Sequence, residues 1–359
     1  MNISFESFFL VWPLLTASAC LLGILPIKDN INKQFLYIII GIGLILFVVN
    51  LDRYAFPDFE EYQRYLKYAD FGSGLMVEIS FVLIKQVSEF LLGNSQFLFL
   101  IYLLLAVILK MEAIKQLSKF WFLSLAIYIA SYWVLHDIIQ IRQGVAAAFM
   151  LLSIKPLCDR DSKLFLLYCS LATFFHYSSV ILFAFWFLSP YLKHTYLYLL
   201  LIPLSIALML MRFDLLSLME LLPDGYLYSK IDGYRMTAEY GLKIDSMTKE
   251  EYIAKAFTLF KITRILFVYY MWYFIDNVMK RNRYALVLLK IYTIAISCMF
   301  LLWSVPVVAG RIYEYLLVVQ IVLVPLSVYT LNKQISYLIP ILYASACVFA
   351  NWNLLCNFS

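Results

Sequence analysis

The chain has 359 residues, of which 64% are hydrophobic and only 14% charged, with a mean hydropathy of +0.84. A soluble domain is about half apolar and about a quarter charged, so a water-soluble globule is excluded as the fold class. The net charge of +5 comes from scattered Lys and Arg with no basic block, which excludes nucleic acid as a partner.

Apolar runs of about 18 residues or more recur along the chain, and each is long enough to cross about 30 Å of hydrocarbon as a helix. Alternating strands of the barrel type are absent, and in lipid the backbone must satisfy its own hydrogen bonds. The fold class expected is therefore an all-α polytopic membrane protein. Hydropathy places about twelve spans, near 6–26, 35–51, 94–110, 120–136, 142–157, 163–176, 177–192, 195–211, 258–279, 284–305, 312–330 and 334–356. They form a single integral membrane domain over 1–359. The first run is preceded by Glu6 and no basic stretch, so it reads as a retained span. Six cysteines show no metal spacing and read as small core residues.

Lys and Arg in short loops set the orientation. Lys28 with Lys33, Lys110 with Lys115 and Lys119, Lys155 with Arg160 and Lys163, Lys193, Lys280 with Arg281 and Arg283, and Lys333 all fall on one side if the span list holds. That side is the cytoplasm, and both termini then face outward. The stretch 163–188 could be one long span, but that would carry Lys280, Arg281 and Arg283 outside. It is therefore read as two short helices meeting near His176, which brings this histidine to the outer side.

Two larger loops follow on that side. The first, 52–93, contains an acidic stretch in which Asp58 could cap a short helix with Glu61 three residues on. Tyr62, Tyr65 and Tyr68 lie along one face of it, suiting either sugars or the aromatic belt. Its second part, 76–92, is amphipathic with Glu78, Lys85 and Glu89 near one face, and is expected to lie in the interface. The second loop, 212–256, contains a turn at Pro223-Asp224-Gly225 and a capping box at Thr248-Lys249-Glu250-Glu251.

An ionisable residue near membrane depth is costly and is a functional candidate by default. Four places qualify. His136-Asp137-Ile138-Ile139-Gln140-Ile141-Arg142-Gln143-Gly144 is a polar cluster between two spans, with Arg142 at the entrance of a helix of small residues. Its guanidinium is a fork suited to phosphate oxygens, or simply snorkels to water. His176, within Phe174-Phe175-His176-Tyr177-Ser178, could take a hydroxyl proton or could be a helix-break histidine bonded to a carbonyl. Gly310-Arg311-Ile312-Tyr313-Glu314 opens a late span, where Arg311 could join Arg142 on an anion or pair with Glu314. The fourth place is the Asp52-Arg53-Tyr54 to Tyr65 stretch, whose carboxylates and rings suit sugars. Walker, Rossmann and HExxH patterns are absent, so nucleotide-driven and zinc chemistry have no sequence support.

The order of these places resembles the EpsG-like branch of the Wzy polysaccharide polymerases. The resemblance rests on an acidic Asp…Tyr loop with Glu78 downstream, then Gln140-Ile141-Arg142-Gln143, then Ala172…Phe175-His176-Tyr177-Ser178, and a late Arg311. It covers roughly Asp52 to Thr330, and the 212–256 loop carries no recognised motif. What the resemblance implies is a GT-C-like, metal-independent glycosyltransferase with no cofactor, in the bacterial inner membrane with its site facing the periplasm. It would join undecaprenyl-diphosphate-linked oligosaccharide repeat units into O-antigen, capsule or exopolysaccharide. Donor and acceptor lipids, membrane lipid and a chain-length regulator are the expected partners. The expected roles are His176 as base with Asp58 or Glu78 as rivals, Arg142 and Arg311 on the diphosphate, and Gln140, Gln143, Arg53, Tyr62 and Tyr313 on substrate; no metal ligands are expected. A lipid-linked oligosaccharide flippase and a membrane O-acyltransferase are the competing classes.

Overall fold

A computed structural model describes residues 5–27, 29–54, 56, 58–71, 77–192, 195–215, 251, 253 and 255–356. These residues are helical almost throughout and include no strand. The turn at Pro223–Gly225, the start of the capping box at Thr248, and Lys28 and Lys193 lie outside them. Among the described residues five helices are long and apolar enough to cross a membrane, or six if Pro306–Leu317 and Gln320–Tyr329 form one bent span. Further apolar helices, such as Ser162–Phe175 and Thr195–Leu210, are shorter.

The chain divides into two compact units. One holds 1–188, 281–284 and 321–359; the other holds 189–280 and 285–320.

The first unit begins with α1 (Phe5–Ile24) and α2 (Asn30–Val49), whose Leu and Ile side chains are largely exposed, as a lipid-facing surface requires. Asp29 caps α2, accepting from the Ile31 amide at 2.9 Å. Two shorter helices follow, α3 (Phe59–Tyr68) and α4 (Ile79–Leu92), and α4 stops at Gly93 in the left-handed region with φ 65°. The long α5 (Phe97–Leu117) packs against α7 (Ile141–Asp159), whose first half is rich in the small residues Gly144 and Ala146 to Ala148. The turn out of α7 passes through Arg160 at φ 57°, and Asp161 then caps α8 (Ser162–Phe175) by accepting from the Leu164 amide.

Between α5 and α7 runs α6 (Trp121–Tyr128), which widens into a π-helix over Ile129–Ile139. Where the winding changes, the Ile129 carbonyl accepts from the Trp12 indole at 2.8 Å and the Ala130 carbonyl from the Asn351 amide at 3.0 Å. Carbonyls turned away from regular helix in an apolar interior need such donors.

The break expected in 163–188 is present. α8 ends at Phe175, His176 is extended (φ −154°, ψ 114°), and a 3₁₀ helix runs over Tyr177–Phe187. The late span expected at 312–330 starts earlier, with Pro306 at the first turn where its missing N–H costs nothing, and it is interrupted after Leu317.

The second unit contains α9 (Thr195–Leu210), α10 (Leu259–Tyr273), α11 (Ile275–Met279), α12 (Ala285–Leu301) and α13 (Pro306–Leu317). Its centre is the fully buried Lys290 of α12, whose ammonium donates to the carbonyls of Ser189 at 2.7 Å and Tyr191 at 2.9 Å.

Candidate active site

Three helix ends in the first unit bring together three ionisable side chains. Glu78 precedes α4 in extended conformation, Arg142 is the second residue of α7, and His176 follows α8. The Glu78 carboxylate is almost completely buried and accepts from both partners. One oxygen, Oε2, takes the Arg142 guanidinium; the other, Oε1, takes His176 Nδ1 at 3.0 Å. Glu78 does not cap its own helix, because its two oxygens are committed to residues 64 and 98 positions away.

Burial opposes ionisation of Glu78, but the hydrogen bond from His176 and the charge of Arg142 outweigh it and bring its pKa from 4.5 down to about 2. An ionised carboxylate only accepts, so His176 carries its hydrogen on Nδ1 and, when neutral, has Nε2 as the acceptor nitrogen. The Arg142 guanidinium lies 5.5 Å from the Tyr62 ring and 5.3 Å from the Tyr65 ring. Tyr62 is buried between Phe81 and Phe99, while Tyr68 on the same helix is exposed. Tyr102 completes the floor. Its hydroxyl shares a hydrogen bond with Ser80 at 3.1 Å and its ring meets Phe175 edge-on, next to His176.

Asp58 departs from expectation. It stands before α3 in the left-handed region at φ 67° and makes no side-chain cap bond, and Glu61 pairs with Arg64 at 2.6 Å, so no capping box closes. Asp58 is exposed. On α4, Lys85 donates to the Ala69 carbonyl at 2.8 Å.

The polar cluster at 136–144 is not at a water-facing surface as the span list implied. His136 and Asp137 are buried, and Asp137 forms an ion pair with Lys110 and accepts from the Tyr128 hydroxyl. Lys110 was expected in a cytoplasmic loop. It lies inside α5, fully buried, because the helix continues for two more turns to Leu117. The close approach of the π-helix to α7 depends on Gly144, since a Cβ there would fall on the His136 carbonyl. Both ring nitrogens of His136 lack a hydrogen-bond partner among the described residues, as does Gln140 Oε1; Gln143 is buried.

Arg311 and Tyr313 belong to the second unit. Arg311 is exposed on α13, and the Tyr313 hydroxyl accepts from Arg264 at 2.5 Å. Sequence reasoning passed over Arg264, Ser80, Tyr102, and Lys110 as a buried group. For Lys110 a signal existed, namely that Met111, Ile114 and Leu117 continue a helical apolar periodicity past it.

The EpsG family model matches residues 35–357. Over 262 residues the chain is 25% identical to the amylovoran biosynthesis protein AmsC of Erwinia amylovora; the match covers 72% of this chain and 66%, just under two thirds, of that relative's length. No solved structure matches.

Proposed function

We propose a function from one premise: this chain belongs to the EpsG family and is a multi-pass membrane protein of that family. The reading is a polymerase of exopolysaccharide biosynthesis that joins polyprenyl-diphosphate-linked repeat units on the periplasmic face of the inner membrane. The observation that carries it is the convergence of Glu78, Arg142 and His176. Membership of the family and the similarity to an amylovoran biosynthesis protein support the substrate class.

In this mechanism the acceptor hydroxyl gives its proton to His176 Nε2 as its oxygen attacks the anomeric carbon of the donor glycan. The bond from that carbon to the diphosphate oxygen breaks, and the lipid diphosphate leaves with the bonding pair. Arg142, with donors beyond the one given to Glu78, stabilises the negative charge on the departing diphosphate. Glu78 orients the imidazole and stabilises its protonated form. With a pKa near 2 Glu78 is a poor proton acceptor itself, so His176 is the base in this mechanism. The role of Arg311 as a second diphosphate cation rests on sequence order and is tested by its own variant.

The test is the length distribution of surface glycan in cells carrying Arg142→Ala, His176→Ala, Glu78→Gln or Arg311→Ala at matched protein level. Removing an electrostatic stabiliser of this kind costs about 10²–10³ in rate, enough to leave single repeat units on the lipid anchor. Unchanged long chains in the Arg142, His176 and Glu78 variants would overturn the assignment. Loss of all external repeat units would identify a flippase, and altered acetylation at normal length an acyltransferase.

A further inference from the structure

A cavity of the first unit, not lined by Glu78, Arg142 or His176, has a volume of about 420 Å³ and opens beside the start of α5. Its walls are of two kinds. The apolar wall is made of the Tyr54, Phe59, Phe97 and Phe99 rings with the aliphatic Val49, Leu51 and Leu100, and the polar wall of Asp52, Arg53, Asn94 and Gln96. The rings are held against one another, Tyr54 on Phe59 at 4.7 Å and Phe59 on Phe99 at 5.4 Å. The Arg53 guanidinium lies over Phe99 at 5.2 Å and makes no hydrogen bond or ion pair among the described residues; burial pulls its pKa down to about 10. Gln96 is fixed by a reciprocal amide pair with Gln63 at 2.9 and 3.3 Å, and Asn94 accepts from the Gln96 amide N–H at 2.8 Å.

The chemistry of this wall selects among ligands. A hydrocarbon tail would gain nothing from Asn94 and Gln96 and would cover the Arg53 guanidinium without giving it a hydrogen-bond partner. A phosphate would gain Arg53 but meet the neighbouring carboxylate of Asp52. A neutral sugar fits both kinds of wall, because its C–H faces lie on rings while its hydroxyls both donate and accept. The volume lies in the range of small-molecule sites. Contacts also lead from here toward the reacting groups: Phe99 touches Tyr62 at 6.1 Å, and Tyr62 lies under Arg142.

We propose that this cavity is a glycan subsite, holding one or two neutral sugar residues of the repeat unit through Arg53, Asn94 and Gln96 over the Phe59 and Phe99 rings. The inference rests on the polymerase reading for the identity of its glycan. It narrows the expected substrate role of Arg53 to the sugar.

The test uses the full chain in lipid nanodiscs and the host's single repeat-unit oligosaccharide, freed of lipid and diphosphate by mild acid, with binding measured by calorimetry. Arg53→Ala should weaken binding about tenfold or more, as loss of a charged donor does. Gln96→Ala, at an exposed position that leaves the core intact, should weaken it in the same direction, and Arg142→Ala should bind as the parent does. Equal affinity in the parent and in both cavity variants, or no binding by the parent, would overturn the subsite. So would displacement of the oligosaccharide by inorganic diphosphate, or a loss confined to Arg142→Ala. If Arg142→Ala stops polymerisation in cells while the cavity variants bind normally, the polymerase reading stands and the subsite alone falls.

Discussion

At the scale of single residues, the candidate site turns on one carboxylate. Glu78 is ordinary in sequence, one acid at the edge of an amphipathic stretch, and becomes distinctive because a guanidinium and an imidazole each claim one of its oxygens. Its pKa falls in the folded protein from 4.5 to about 2, so its contribution to stability is complete above pH 4.5 and is lost as the pH falls from 4.5 toward 2. A shift of this size corresponds to roughly 3 kcal/mol. The stability gap between the parent protein and Glu78→Gln should therefore be widest at pH 6 and close progressively below pH 4.5. Melting temperatures in detergent across that range measure it, and a gap independent of pH would show that Glu78 carries no such linkage.

Among elements, the π-helix over Ile129–Ile139 does the most to shape the first unit. Its wide winding delivers Asp137 to Lys110 and Tyr128 in the interior, and the Trp12 and Asn351 side chains satisfy carbonyls at its start. A buried pair of this type is costly to break from one side, because the remaining charge stays in a medium that cannot solvate it. Lys110→Met should cost about 3–5 kcal/mol, and adding Asp137→Asn should recover most of that loss while keeping an acceptor for the Tyr128 hydroxyl. Thermal unfolding of the two single variants and the double variant decides this; additive losses would mean that the pair is not coupled. The same helix explains why small residues open α7, since Gly144 lies against the His136 carbonyl and even alanine would collide there.

For the whole molecule the open quantity is topology. Five or six described helices meet the length and apolarity of a span, against the twelve that hydropathy suggested, and further apolar helices among the described residues are shorter. The expected outward face of the Glu78 cluster follows from charge bias and can be measured directly. In a cysteine-free background, Glu60→Cys on α3 should react with an impermeant maleimide in intact spheroplasts, whereas Lys119→Cys after α5 should react only once the membrane is opened. Both positions are exposed at opposite ends of the segments they flank. The reverse pattern would put the cluster on the cytoplasmic side and remove the periplasmic assignment.

Sequence alone was sufficient for the helical class, because 64% hydrophobic residues in long runs can satisfy their backbone in lipid only as helices. It also marked Arg142, His176 and the break at His176, since charges and polar breaks are costly near a membrane and therefore conspicuous in an apolar chain, and it reached Glu78 through the family resemblance. The tertiary structure decided the rest. Only packing shows that three helix ends meet at one carboxylate, and that Lys110 and Asp137, assigned to opposite sides of the membrane by local charge counting, are bonded partners in the interior. Hydropathy reads each segment against lipid, whereas a charge inside a bundle is stabilised by a partner from a distant segment, and nothing local in the chain specifies that partner.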